Sequence, residues 1–253
     1  MERKPSKRPL RPAAVRIALH LDRHPTIDYL PLNSQQREPA TGSWTAMHRN
    51  HEKRQLVDIQ QVKNDSLLDL NSLSAISNPY VAHPIAVYYY HKRAFFVQEH
   101  VALSVLELAP LCEHQIAYIF TQVLSGLQYL LVLGIGFQVT QVRTTVTGDI
   151  KMVLDWSYEP NISPVFRLAG TSYLADFLRN MFGELRGGCR NWSAEACDFV
   201  TILEAGYLPA STHPFLSRTL SIRSVAWFVM QRKLAALPPR QIDLRGSCLD
   251  RNS

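Results

Sequence analysis

The side chains best suited to chemistry are dispersed along this chain of 253 residues, which contains nine histidines and four cysteines. No H-E-x-x-H or H-x-E pattern gives the histidines a metal-binding spacing. The cysteines form no C-x-x-C pair, which argues against a zinc site and against a secreted disulfide scaffold. Neither Ser104 nor Ser193 lies in the G-x-S-x-G setting of a hydrolase nucleophile. The sequence thus indicates neither metal-dependent nor serine-hydrolase chemistry.

The elements that would position a site follow from the hydrophobic pattern. We predict strands at 55–62, 80–90 and 94–101, with a turn at 91–93, and a short amphipathic helix at 65–76. A long apolar helix follows from about residue 110 or 112, then a turn and strand at 148–153, and mostly helices beyond 174. This order of strands first and helices later predicts an α+β fold with a small β-rich lobe and a helical lobe.

The positive charge is concentrated at one end of the chain. Residues 1–55 have eleven Lys and Arg against five Asp and Glu, whereas the rest of the chain has sixteen of each. We interpret residues 1–54 as a basic, largely disordered arm. The alternatives for its first residues, 1–18, are a solvated tail, which we favour, or a patch for nuclear import or an anionic partner.

The apolar run from 115 to 142 contains no Asp, Glu, Lys or Arg. Such a run is long enough to span a bilayer, and a span at 116–136 is one hypothesis. Glutamines, serines and threonines interrupt the run, however, and its large apolar residues recur at helical spacing. The pattern therefore favours a buried helix of a protein core.

Several short words of this sequence occur in the order in which one known family has them. They read N-P-Y-V at 78–81, F-F-V-Q-E-H-V at 95–101, E-H-Q-I-A with G-L-Q-Y-L and G-I between 113 and 135, G-D-I-K-M at 148–152, G-T-S-Y at 170–173, N-W-S-A-E-A-C-D-F at 191–199 and H-P-F-L at 213–216. In this order they resemble the eukaryotic protein kinase domain, and the wording is closest to the sterile-twenty-like serine/threonine kinases. The resemblance implies a kinase-like fold, with a shortened helical lobe, over residues 55–217. A C-terminal helix at 218–237, predicted to be amphipathic, and a disordered tail at 238–253 would follow.

The resemblance also implies where the catalytic residues of a kinase would lie, and this chain departs from them. Gln60 stands at the lysine that pairs with the nucleotide phosphates, Val139 at the catalytic-loop aspartate and Thr144 at the metal-binding asparagine. Between 134 and 148 there is no Asp, Glu, His, Lys or Asn, so no carboxylate base is present in any register. Asp155 is the doubtful remnant of the metal-binding D-F-G aspartate, and one glycine before residue 126 cannot form a glycine-rich loop.

The positions that resemble the nucleotide-binding hinge of a kinase are Gln98, Glu99 and His100. With the catalytic charges missing, we expect a pseudokinase that is not an enzyme, binds protein partners and lies in the cytoplasm or nucleus. No cofactor is expected, and ATP with Mg²⁺ would bind only if residual affinity survives. The alternatives are a divergent kinase that recruits Lys63 and Asp155, a nonfunctional kinase remnant, and the membrane protein described above.

Overall fold

The computed structural model describes residues 17–32, 42–49, 55–62, 74, 76–133, 138–155, 165–187, 192–217 and 219–236. The strands lie mostly in the first part of the chain and the helices mostly in the second, which is an α+β arrangement. The strands are β1 Ala18–Leu21, β2 Tyr29–Pro31, β3 Ser43–His48, β4 Leu56–Val62, β5 Pro84–Tyr90, β6 Arg93–Glu99, β7 Leu103–Ser104, β8 Gln138–Thr144 and β9 Ile150–Asp155. The helices are α1 Glu113–Leu133, α2 Val165–Arg186, α3 Ala194–Glu204 and α4 Arg223–Ala236.

The first six strands form one sheet in the order β1-β5-β6-β4-β3-β2, antiparallel except for the β1–β5 pair. Its two edge strands, β1 and β2, are joined by only seven residues, 22–28, which include a 3-10 turn at Pro25–Ile27. In a flat sheet these edges would lie about 24 Å apart, at about 4.8 Å per strand pair. The linker would have to span this distance and also pass over the side chains of the strands between the edges. Seven residues can join the two edges only if the sheet curls and brings them closer together.

The interpretation of residues 1–54 as a largely disordered arm is wrong for residues 17–32 and 42–49, because these form β1, β2 and β3. Within the sheet, His20 of β1 stacks on Tyr88, its partner on β5, with ring centroids 4.3 Å apart. The Tyr88 hydroxyl donates to Asp28 Oδ2 at 2.8 Å. β1 and β2 are only four and three residues long, and β1 pairs with β5, which is 68 residues away in the chain, so local periodicity does not reveal them. Residues 1–16 lie outside the described part of the chain.

The strongest local patterns are confirmed. β4 matches the strand predicted at 55–62, and β5 and β6 form the predicted hairpin. His91 and Lys92 both have positive φ, 46° and 62°, as the tight turns that suit the twist of a hairpin require. The helix predicted at 65–76 lies almost entirely outside the described residues.

The predicted apolar helix is α1, and it lies in the centre of the helical part. It is long and apolar enough to cross a membrane by length and composition alone, and half of its most apolar window is buried inside the protein. Buried Gln122 accepts a hydrogen bond from the backbone N–H of Ile150 at 3.1 Å. Gly126 brings α1 so close to β9 that an added Cβ would lie 2.5 Å from Met152 Cε. The side of α1 that carries Gln122 and Gly126 thus packs against β9.

Another side of α1 packs against aromatic side chains of the helical part. α2, α3 and a 3-10 turn at Pro214–Ser217 contribute rings to one cluster around Phe120. Its other members are Phe182, Phe199 and Phe215. Ser193 caps the N-terminus of α3. The backbone N–H of Ser193 also donates to Glu113 Oε1, at the start of α1, at 3.0 Å.

Two expectations taken from the kinase resemblance are corrected here. The stretch at 138–144, expected to be a catalytic loop, is strand β8, which pairs with β7 and β9. Its two valines and two threonines are β-branched residues, which suit a strand. The stretch at 170–173, whose G-T-S-Y resembles the G-T-P-Y word that ends a kinase activation segment, lies inside α2.

Candidate functional site at the β6–β7 connection

The predicted hinge residues lie where the six-stranded sheet meets the β8–β9 hairpin. β6 ends at Glu99, and residues 100–102 connect it to β7, which pairs with β8. The structure brings Glu99 and His100 together with charged groups from both sides of this connection. We call this set the polar junction. It consists of Asp58, His83, Glu99, His100, Arg143, Lys151 and the carbonyl of Val101.

Glu99 is fully engaged within the protein. Its Oε2 accepts from Lys151 Nζ at 2.8 Å and from the backbone N–H of His83 at 3.1 Å. Its own backbone N–H donates to the His83 carbonyl at 2.9 Å. Because Lys151 lies on β9, this ion pair links the end of the large sheet to the hairpin.

His100 is held by the neighbouring strand of the sheet. Its Nδ1 lies 2.9 Å from Asp58 Oδ1, which also accepts from the Thr45 hydroxyl at 2.8 Å. The backbone N–H of His100 donates to the Leu56 carbonyl at 3.4 Å. The backbone N–H and the ring of His100 thus both form contacts within the protein.

Arg143 of β8 supplies the third contact across the junction. Its Nη1 donates to the Val101 carbonyl at 2.8 Å, and its Nε donates to Gln141 Oε1 at 2.7 Å. A main-chain acceptor of the connection is therefore occupied by a guanidinium group.

Gln60 and Gln98 lie on the face of the sheet that also carries Asp58. Side chains alternate along a strand, so Asp58 and Gln60 share a face of β4, and Gln98 stands opposite Asp58 on β6. Gln98 is 4% exposed, and its Oε1 has no hydrogen-bond partner in the described part of the structure. A buried acceptor without a hydrogen bond costs about 1–3 kcal/mol of folding free energy, so this atom destabilises this part of the sheet.

His83 is the residue of the junction whose titration is clearly perturbed. Burial lowers its pKa below the ordinary value of 6.5. The Glu99 carboxylate acts in the opposite direction, whereas the Lys151 ammonium lowers the pKa further. The neutral ring is therefore the favoured form at neutral pH.

Two of the three positions expected to replace catalytic residues are buried in β8. Val139 and Thr144 are both buried on β8, Val139 in the main apolar core. The Thr144 hydroxyl donates to the neighbouring Thr145 carbonyl at 3.1 Å. Asp155 ends β9 in register with Gln138, and its side chain lies outside the described part of the structure. Lys63, the lysine of the divergent-kinase alternative, also lies outside it.

Sequence reasoning missed Asp58, His83, Arg143 and Lys151. A signal existed for Asp58, a charged residue between the apolar Val57 and Ile59 of a predicted strand. The other three come from separate segments, and only the fold brings them to the connection. Within the described ranges, no group of three or more His, Cys, Asp or Glu side chains has the arrangement of a metal site.

The junction can join elements, but its charges are directed at one another. Its carboxylates are bound to a lysine or a histidine, and its arginine is bound to a main-chain carbonyl. No protein-family model matches this chain, and no curated protein sequence matches it.

Proposed function

We propose that this chain is a degenerate protein kinase-like domain that transfers no phosphate and acts as a protein-interaction or regulatory module. The ordered words of the sequence and the succession of a β-rich part and a helical part support a two-lobed kinase-like fold. The observation that carries the functional proposal is the polar junction, because Glu99 and His100, which resemble the hinge of a kinase in sequence, form contacts within the protein.

Phosphoryl transfer depends on charges that are positioned around the phosphates, the metal ions and the attacking hydroxyl. At the lysine position Gln60 offers an amide without charge. At the positions of the base and the metal-binding asparagine, Val139 and Thr144 are buried side chains of a strand. The nearby cations, Arg143 and Lys151, are bound to Val101 and Glu99. This arrangement supports a structural role for the region rather than a catalytic one.

A phosphotransfer assay tests the non-catalytic half of the proposal. The full chain is incubated with γ-labelled ATP, Mg²⁺ or Mn²⁺, and a general protein substrate. The matched control is Asp155→Asn, which removes the remaining candidate metal ligand. We expect equal, background labelling from both proteins. Labelling by the natural chain that disappears in Asp155→Asn would contradict the proposal and favour a divergent kinase.

The interaction half is tested by the size of the complexes that the full chain forms in cells. We expect the natural chain and Asp155→Asn to elute together in the same complex, larger than the chain alone, since binding would not need a metal-bound nucleotide. Elution of both proteins as a free monomer would contradict a role as an interaction module.

A further inference from the structure

Helix α4 presents an apolar face to solvent. Its inward residues, Val225, Ala226 and Val229, pack against the main core. On the opposite side, Trp227 is 56% exposed and Phe228 is 61% exposed. A surface helix ordinarily turns a polar face outward, so the predicted amphipathic character of this helix is not realised.

Cations border this apolar face on both sides. Arg223 and Arg232 are nine residues apart, which is two and a half helical turns, so they project from opposite sides of α4. The same spacing puts Trp227, Phe228 and Leu234 on the arc between them. Both arginines are exposed, and neither pairs with a carboxylate among the described residues.

No acidic residue in or next to α4 in the sequence compensates the charge of these two arginines. Residues 219–236 contain no Asp or Glu, and the third cation of α4, Lys233, reaches Glu107 instead. Beside Trp227 an open groove extends the surface toward the β8–β9 turn, where it is lined by Val146 and Thr147. The outward surface of α4 therefore combines exposed aromatic rings with unpaired positive charge.

These observations favour one class of occupant. A second copy of the chain would bring Arg223 and Arg232 against identical cations. A layer of anionic headgroups above acyl chains complements both features, because aromatic rings insert at such a boundary while arginines bind the headgroups. We propose that α4 docks this chain, through its outward face, on an anionic phospholipid surface. The inference is independent of the proposed pseudokinase function.

Co-sedimentation of the full chain with vesicles tests the proposal. We expect binding to phosphatidylcholine vesicles that contain phosphatidylserine, little binding to phosphatidylcholine alone, and loss of binding at high salt. The double variant Arg223→Gln/Arg232→Gln should bind roughly 25-fold more weakly, at about one kcal/mol for each cation near an anionic surface.

The double variant Trp227→Ala/Phe228→Ala separates α4 from the basic residues 1–18, which it leaves unchanged. We expect its affinity for the anionic vesicles to fall by at least about tenfold, since it loses the two inserting rings. Tyr207→Ala is the matched control, because Tyr207 is an exposed aromatic residue elsewhere, and it should bind as the natural chain does. Equal melting temperatures would show that the variants remain folded.

Three results would overturn the proposal. The first is no binding to anionic vesicles, which would leave this face to a protein partner. The second is equal binding to both vesicle types. The third is full binding by Trp227→Ala/Phe228→Ala, which would assign vesicle binding to the basic N-terminal residues.

Discussion

The aromatic core around α1 and the polar junction at the β6–β7 connection hold neighbouring parts of the chain together by different means. In the core, Phe120 and Phe199 are fully buried and contact each other edge to face, with ring centroids 5.4 Å apart. At the junction, Lys151 and Glu99 keep 17% and 24% of their side chains exposed and are joined by one ion pair. Buried apolar area stabilises a fold strongly and without direction, whereas a single, partly exposed ion pair contributes less energy but fixes geometry. The comparison thus separates the contacts that stabilise the domain from those that fix the geometry of the β6–β7 connection.

The largest effect is expected from the core. Phe120→Ala should lower the free energy of unfolding by about 3–5 kcal/mol, because it leaves a cavity among Phe182 and Phe199. Urea denaturation followed by circular dichroism measures it. Leu131→Ala, on the exposed side of the same helix, is the control and should cost less than about 1 kcal/mol. Equal losses in the two variants would show that the aromatic cluster does not stabilise the protein.

The contact between α1 and β9 comes next. Gly126→Ala would put a methyl group 2.5 Å from Met152 Cε and 3.1 Å from Tyr80 Cβ, so we expect a loss of about 1–3 kcal/mol. Gly183→Ala in α2 is the matched control, because its Cβ would meet nothing within 4 Å. Alanine's higher helix propensity should stabilise that variant by up to about 1 kcal/mol. Thermal melts of both variants test the opposite signs, and a more stable Gly126→Ala protein would refute the close approach.

The ion pair of the junction should matter less than either core contact. Lys151→Met removes a partner of half-buried Glu99, and we expect a loss of about 1–2 kcal/mol. The control is Arg179→Met, which breaks the more exposed Arg179–Asp176 pair and should cost less than about 0.5 kcal/mol. A double-mutant cycle with Glu99→Gln isolates the coupling, and a coupling energy near zero would contradict the contact.

The smallest effect is the pH dependence of the junction. The lowered pKa of His83 means that the unfolded chain binds the proton more readily than the folded protein does. Its contribution to stability is therefore complete above pH 6.5 and is lost as the pH falls through the lower native pKa. His83→Gln should remove this component, so its free energy of unfolding should fall less than that of the natural chain between pH 7.5 and pH 5. Urea titrations at both pH values make the comparison, and equal losses would exclude the effect.

The sequence predicted the elements whose signals are local. The β5–β6 hairpin has two β-rich runs on either side of a turn at His91 and Lys92, and α1 has large apolar residues at helical spacing. β1 was missed because four residues with two exposed leucines carry no alternating pattern. Its pairing partner is β5, where Tyr89 stands opposite Leu21 and lies 68 residues away in the chain.

The candidate site was predictable only in part. Gln98, Glu99 and His100 were identified through the resemblance, but their partners were not. Lys151 and Arg143 lie about fifty and forty residues from the groups they bind. Such contacts depend on the approach of the hairpin to the large sheet, which no local pattern encodes.

The central claim is that the polar groups of the junction bind one another in place of a nucleotide. The most direct measurement is the melting temperature of the full chain during a titration with ATP and Mg²⁺. Any ligand that binds the native state must raise it. We predict no change at any nucleotide concentration. A rise that saturates with ATP would show that the protein binds nucleotide and would contradict this account.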